Sequence, residues 1–497
     1  MSHSPFGRWK RRQLAREGAL SRRELLQAAA ASAAGLLLSQ CRTSVDAVAT
    51  PTRPRRVIVV GAGLAGLATA YELLQARVDV LLIEARMRVG GRVLTLDRFL
   101  PGATIEGGGE FIGTNHPAWL AYAKKFGLEL LPTDEAEGES PILLGDRRLT
   151  RAEADALFEE MDRTLARIDA EAAAIDADEP WKSAGADALD RRSVREWLDA
   201  TEASSDCKSM IRAQLENDNG VALERQSWLG LLAMVKGGGL ARYWAETEAL
   251  RCKDGANTLA RCLALEIGRS RMRVRMPVLR IEHGEGGARV QLENQAVLSV
   301  DEVVLAVPPS TWSKIEFSPA LPEPLKPQMG MNLKFLATMS KRFWRDGGLS
   351  PDARTDGPIG ETWEATQGQP IETPCLTVFS GGPAAAQCRR WSRDDKPQKY
   401  LAELEKLYPG VRDHFQSSRV MDWSGDPWSL ASYSFPAPGE VTTVGPLLRS
   451  GLPSLHFAGE HCSPGFVGYM EGALQSGLAL ARRIAALGPV EVTAAKA

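Results

Sequence analysis

Arg56-Val57-Ile58-Val59-Val60-Gly61-Ala62-Gly63-Leu64-Ala65-Gly66 runs from a short β-branched stretch straight into spaced glycines, and this junction decides the fold. An apolar run of this kind ending at glycine reads as a buried parallel strand. Residues 65–75 then read as a helix and residues 78–83 as a second apolar strand, which closes a βαβ unit. Each glycine has a separate task. Gly61 permits the tight turn, Gly63 lets the backbone approach a diphosphate, and Gly66 lets the helix pack on the strand. The helix N-terminus at Ala65 attracts the anionic phosphates. Glu84 follows the second strand, 23 residues beyond Gly61 (84 minus 61), where it can accept hydrogen bonds from a ribose.

Outward from this unit, residues 151–175 place Ala154, Leu157, Phe158, Met161, Leu165 and Ile168 at helical spacing among acids and arginines, and similar patterns continue over 197–215. Between 271 and 307 the pattern becomes one of alternating strands. A second excursion over 318–419 is richer in Trp, Pro and strand-like segments. The chain then returns through Leu455-His456-Phe457-Ala458-Gly459-Glu460 to a strand and a final helix over 468–486. This out-and-back order predicts a discontinuous nucleotide-binding domain of residues 54–140, 250–318 and 420–487. It carries a helical insertion over 141–249 and a substrate-binding domain over 319–419.

The 497 residues are 44% hydrophobic and 25% charged, enough to bury a large core, and the formal net charge of -2 supplies no field that would draw the chain to nucleic acid. The basic excess is local. Arg8, Lys10, Arg11, Arg12 and Arg16 precede Ser21-Arg22-Arg23-Glu24-Leu25-Leu26 and an alanine-rich run to Leu38, which reads as a twin-arginine export signal and predicts a periplasmic or cell-surface protein. The competing reading is an amphipathic helix packed on the domain. Leu38-Ser39-Gln40-Cys41 resembles a lipoprotein box, giving a candidate lipid anchor at Cys41, while Ala47-Val48-Ala49 offers a peptidase site. Either way residues 1–50 are expected to lie outside the fold, with Pro51-Thr52-Arg53-Pro54 as a linker. The six later cysteines show no CxxC pair and read as buried thiols. The histidines lack paired metal-ligand spacing, and no GxSxG elbow appears.

The run Glu84-Ala85-Arg86-Met87-Arg88-Val89-Gly90-Gly91-Arg92 resembles the second glycine signature of amine oxidase and glutathione-reductase-type flavoproteins, where an arginine after the glycine pair reaches the diphosphate. It points to FAD rather than NAD. The resemblance extends in order along the chain. Glu106-Gly107-Gly108-Gly109-Glu110-Phe111-Ile112-Gly113 is similar to the glycine stretch beside the isoalloxazine ring, and Pro277-Val278 to the segment that meets adenine. Phe457-Ala458-Gly459-Glu460-His461 and Gly468-Tyr469-Met470-Glu471-Gly472 resemble the flavin monoamine oxidases almost residue for residue. That resemblance implies an α/β fold, a Rossmann-type, glutathione-reductase-like FAD-binding domain with an interleaved α+β substrate domain. Gly459 and Glu460 would meet the ribityl-phosphate region, and the helix opening at Gly468, Tyr469 and Met470 would aim its positive end at the flavin pyrimidine.

The same resemblance assigns the substrate side. Trp428-Ser429-Leu430-Ala431-Ser432-Tyr433-Ser434 is similar to the stretch in which animal monoamine oxidases carry a cysteine bonded to the flavin. Ser432 stands at that position, so FAD is expected to be held without a covalent bond. Tyr433 and Tyr469 match the two tyrosines of an aromatic cage that orients a neutral amine. Lys334 matches the lysine that holds a water against flavin N5; the plainer alternative is a lysine that snorkels to the surface. The implied reaction takes a C–N bond to an imine, which hydrolyses to an aldehyde or ketone plus ammonia, with oxygen or another acceptor taking the electrons and oxygen giving hydrogen peroxide. L-amino-acid oxidation and polyamine oxidation are alternatives on the same fold. The first needs a cation for the carboxylate, for which Arg242 is the candidate because Ile112 replaces an arginine found in some L-amino-acid oxidases. The second would use Glu110, Glu361 and Glu364 to attract a distal ammonium.

Overall fold

In the computed structural model, which describes residues 4–16, 52–133 and 137–491, helix α1 (Pro5–Arg16) opens the chain and packs on the body of the protein. Phe6 and Trp9 are buried in the core of the helical insertion, and Arg8 forms a buried ion pair with Asp352. The expectation that everything before residue 50 lies outside the fold is therefore corrected for residues 5–16. Their cations have partners on the domain, Lys10 with Asp162 and Arg11 with the Ala245 carbonyl, so the helix is amphipathic toward the protein and not an exposed basic tail. Ser21-Arg22-Arg23, the alanine-rich run and Cys41 lie outside the described residues. The expected linker is also structured in part. Thr52–Arg53 pairs antiparallel with Val490–Glu491, and Arg53 bonds the Asp301 carboxylate at 2.6 Å.

Strand β1 (Arg56–Val60), helix α2 (Leu64–Gln75) and strand β2 (Asp79–Ile83) form the expected βαβ unit. They sit in a five-stranded parallel sheet ordered Leu455–Phe457, Glu302–Leu305, β1, β2, Met272–Arg273. Both faces of this sheet are covered, which is why β1 reads as a continuous apolar run with no alternation. Val57 and Val59 face the cluster under α2, and Ile58 and Val60 face the opposite cluster.

Strand β3 (Phe111–Ile112) and helix α3 (Pro117–Phe126) follow, then helix α4 (Arg151–Ala172), whose start is fixed by a capping box between Thr150 and Glu153. Helices α5 (Trp228–Gly237) and α6 (Ala241–Glu246) complete the part of the insertion that bears on the site. The substrate domain centres on strand β4 (Asn332–Met339), buried along its whole length because it pairs antiparallel on both sides, with Cys375–Gly381 and with Phe415–Met421. This seven-stranded sheet also takes in Ile142–Leu144 and Arg147–Arg148, so the first residues of the predicted helical insertion belong to the substrate sheet. Strand β5 (Leu455–Phe457) and helix α7 (Met470–Ala485) return the chain to the nucleotide domain. There Gly477 lets α7 approach α2 closely; a Cβ would sit 2.6 Å from the Ala65 carbonyl.

Candidate active site

One cavity runs from the carboxyl ends of β1 and β2 to the substrate sheet, and every residue expected to bind FAD or to form the amine cage lines it except Gly66. Gly66 works from behind: a Cβ there would lie 2.0 Å from the Gly61 carbonyl oxygen, so the glycine is what lets α2 close on the turn. Gly61 has φ +104 and backs onto the Ala306 carbonyl, a conformation and a space that exclude a side chain. At Gly63, by contrast, a Cβ would meet nothing within 4 Å. Its open side faces the cavity, and Gly63 also starts α2 without any side-chain cap. The second glycine signature clasps the first. The Gly90 amide donates to the Ala62 carbonyl at 2.8 Å, and a Cβ on Gly91 would sit 3.3 Å from the Gly63 Cα. Glu84 takes the Ala62 and Arg86 amides, both at 2.7 Å, and each carboxylate oxygen keeps a lone pair for a further donor. Arg86 is turned to Asp426 and to Ser429 at 2.9 Å.

At the middle of the cavity Arg92 donates to the Ser432 carbonyl at 2.6 Å and to Glu460 at 3.0 Å. Burial opposes ionisation of Glu460, but the Arg92 guanidinium, the Ser434 hydroxyl and the Gly468 amide outweigh it and hold the carboxyl below its ordinary range. His461 is neutral, its pKa pushed down to about 4 by burial. Lys334 on β4 does not snorkel: it is 7% exposed. Its Nζ donates to the Gly108 carbonyl at 2.8 Å and to Glu110 at 3.0 Å, with a longer contact of 3.5 Å to the Glu106 carbonyl. Glu110 also accepts from the Trp363 indole at 3.1 Å. Ser432 Oγ accepts the Asn332 amide at 2.5 Å.

Beyond Lys334 stand Tyr433 and Tyr469. They adjoin through Gly468, which has φ +83 and where a Cβ would lie 3.5 Å from the Tyr433 ring. Burial raises both phenols above their ordinary range, so both stay protonated and neutral. The wall past the tyrosines holds Glu361, one of the acids expected to attract a distal ammonium, and adds residues that sequence reasoning did not find, Asp218 and Glu248 from the helical insertion and Trp363 from the substrate sheet. Asp218 has its pKa raised by burial, and Arg354 bonds Glu361 at 2.7 Å and approaches Asp218 at 3.6 Å. Two candidates for the alternative substrates fall elsewhere. Arg242 is tied to Glu246 at 2.7 Å and Glu364 to Arg342 at 2.8 Å, and neither lines the cavity.

These residues fit FAD. The helix N-termini at Gly63 and Tyr469, neither with a side-chain cap, open on the same cavity, and the glycine cradle at Gly61 and Gly63 leaves space that any Cβ at Gly63 would enter.

Comparison with known proteins agrees with this geometry. The profile of the family described as flavin containing amine oxidoreductase matches residues 64–485. A putative flavin-containing monoamine oxidase of Mycobacterium tuberculosis is 29% identical over 472 residues, 89% of this chain and 99% of that protein. Flavin-containing amine oxidase B of Homo sapiens is 26% identical over 456 residues, 86% of this chain and 85% of that protein. Among solved structures, wild-type putrescine oxidase bound to putrescine superposes with TM-score 0.78 at 26% identity, covering 88% of this chain and 100% of that one. Cyclohexylamine oxidase from Brevibacterium oxydans IH-35A superposes with TM-score 0.79 at 26% identity, covering 88% and 99%.

Proposed function

The chain belongs to the flavin containing amine oxidoreductase family and oxidises amines with FAD, and we propose that Tyr433, Tyr469 and Lys334 form the reacting end of its cavity. FAD supplies the two-electron acceptor for the C–N oxidation. The observation that carries the reading is the placement of both tyrosines and the buried lysine on one cavity with the glycine cradle. Gly61, Gly63 and the α2 N-terminus hold the diphosphate, Glu84 a ribose, and the Gly108-Gly109-Glu110 backbone walls the ring system. With Ser432 in place of a cysteine, FAD is held without a covalent bond. The two neutral phenols flank the amine, and burial lowers an ammonium pKa so that it reacts as the free base. Lys334 holds a water by giving up its longest contact, the one to the Glu106 carbonyl. The imine product hydrolyses to an aldehyde or ketone, and oxygen receives the electrons as peroxide. Peroxide release from the holoenzyme on a panel of monoamines, diamines and amino acids tests this, and a holoenzyme inert to all amines would refute it.

The far wall favours one alternative over the other. Asp218, Glu248 and Glu361 set three acids on that end of the cavity beside the Arg354 guanidinium that bonds Glu361 and approaches Asp218, an acidic excess that suits a second ammonium better than an α-carboxylate. The likeness to putrescine oxidase points the same way. A diamine is therefore the second reading, and comparison of putrescine with butylamine separates it from a plain monoamine. The amino-acid reading loses its cation, since Arg242 lies off the cavity.

We further propose export by the twin-arginine route, carried by Ser21-Arg22-Arg23, with Cys41 as a candidate lipid anchor; processing at Cys41 or after Ala49 would remove α1, whose contacts therefore belong to the uncleaved chain, folded and loaded with FAD before transport.

A further inference from the structure

We infer that Tyr243 is a positioning residue for Tyr469, and that α1 is a strap holding the α5–α6 corner on which this contact depends; the inference rests on the cage reading of Tyr469. Tyr243 does not line the cavity, yet its hydroxyl lies 3.4 Å from the Tyr469 hydroxyl. Both phenols are buried with raised pKa values, so the contact is a hydrogen bond between neutral groups.

The corner is shaped for this contact. A Cβ on Gly238 would sit 2.5 Å from the Tyr243 ring, so only glycine lets the ring lie against that backbone. A Cβ on Gly237 would meet the Gly465 carbonyl at 2.4 Å, which packs the end of α5 directly on the loop that leads into Tyr469. The Asn115 amide donates to the Gly238 carbonyl at 2.7 Å and fixes the corner to the stretch after β3.

Behind the corner lies α1. Arg11 donates to the Ala245 carbonyl at 3.0 Å, at the end of α6. Phe6 and Trp9 pack on Phe158 with ring centroids 5.9 and 6.3 Å away, and Arg8 and Lys10 pair with Asp352 and Asp162. The helix thus joins α4, α6 and the substrate sheet, three parts of the chain far apart in sequence. Loosening α1 frees α6, and with it the hydroxyl that holds the Tyr469 ring.

The test uses the full-length holoenzyme, a Tyr243→Phe variant, and a second variant carrying Phe6→Ala and Trp9→Ala. Two quantities are read: anaerobic flavin reduction by benzylamine, cyclohexylamine or putrescine against reoxidation by oxygen, and backbone hydrogen exchange. Tyr243→Phe is expected to slow reduction about five-fold, the worth of one ordinary hydrogen bond, with reoxidation and FAD content unchanged. The α1 variant is expected to raise exchange over residues 241–247 and 466–472 and leave 56–75 unchanged. Reduction of Tyr243→Phe at the parent rate, or added exchange confined to residues 151–172, would overturn the inference. A parent that no amine reduces counts against the amine reading alone, and the exchange arm still decides the strap.

Discussion

Lys334 and Glu110 form a buried ion pair at 3.0 Å, the lysine from the middle of the substrate sheet and the glutamate from the glycine stretch of the nucleotide domain. The pair joins the two halves of the protein where the cavity passes between them. Removing one member of such a pair strands the other charge out of water.

Lys334→Met is therefore expected to act twice. It should slow flavin reduction, reoxidation or both while FAD binding stays near normal, and it should destabilise the fold by about 1–3 kcal/mol, less than a fully stranded charge because Glu110 keeps the Trp363 indole at 3.1 Å and the Arg251 guanidinium at 3.8 Å. Adding Glu110→Gln should restore most of the stability and none of the rate. Denaturant unfolding beside stopped-flow kinetics reads both effects, and a double variant no more stable than Lys334→Met would refute the pairing argument.

Gly63 and Gly66 should fail in different ways. A Cβ at Gly63 meets no atom within 4 Å, so Gly63→Val should fold and lack FAD, its branched side chain standing in the open space of the turn. Gly66→Val places its Cβ 2.0 Å from the Gly61 carbonyl oxygen, so it should not give soluble protein at all. Circular dichroism and the flavin-to-protein ratio distinguish the two. Normal loading of Gly63→Val would remove the diphosphate from that turn.

Glu471 supplies a pH dependence. Its carboxylate caps α3 through the Ala118 and Trp119 amides at 2.8 and 2.9 Å, but burial outweighs these bonds and the Gln475 contact and raises its pKa from 4.5 to about 7. The folded state therefore prefers the protonated form. Its contribution is complete below about pH 4.5 and is lost as pH rises through about 7, a change of about 3 kcal/mol. Glu471→Gln cannot titrate, so across that window the parent should lose more stability than the variant. Parallel stability curves for the two would contradict the assignment.

The nucleotide-binding half was legible in the sequence because its signals are local: a β-branched strand, glycines at fixed spacing and an acid at the next strand end. The role of α1 was not. Arg8, Lys10 and Arg11 look like the basic head of a signal until their partners Asp352, Asp162 and the Ala245 carbonyl arrive from distant parts of the chain. Asp218 and Glu248 were hidden for a similar reason, since single acids in a helical insertion carry no pattern and only the closed fold turns them into a cavity wall. Residues 142–148 form strands too short to show a period of two.

Exchanging Arg22 and Arg23 together for lysines should leave the protein active but cytoplasmic, because the export receptor reads that pair as an address. Cell fractionation checks this. Unchanged periplasmic activity would dismiss the export proposal, and a membrane-bound pool released by Cys41→Ala would establish the anchor.

The two half-reactions of the Tyr469→Ala holoenzyme, followed by flavin absorbance first under anaerobic amine and then on mixing with oxygen, test the cage most directly. If the tyrosines orient the amine, the parent is bleached by at least one of benzylamine, cyclohexylamine and putrescine. The variant is then bleached on the order of a hundredfold more slowly, and both are reoxidised at the same rate. Reduction of the variant at the parent rate by every amine that reduces the parent would contradict the cage and return Tyr469 to the protein core.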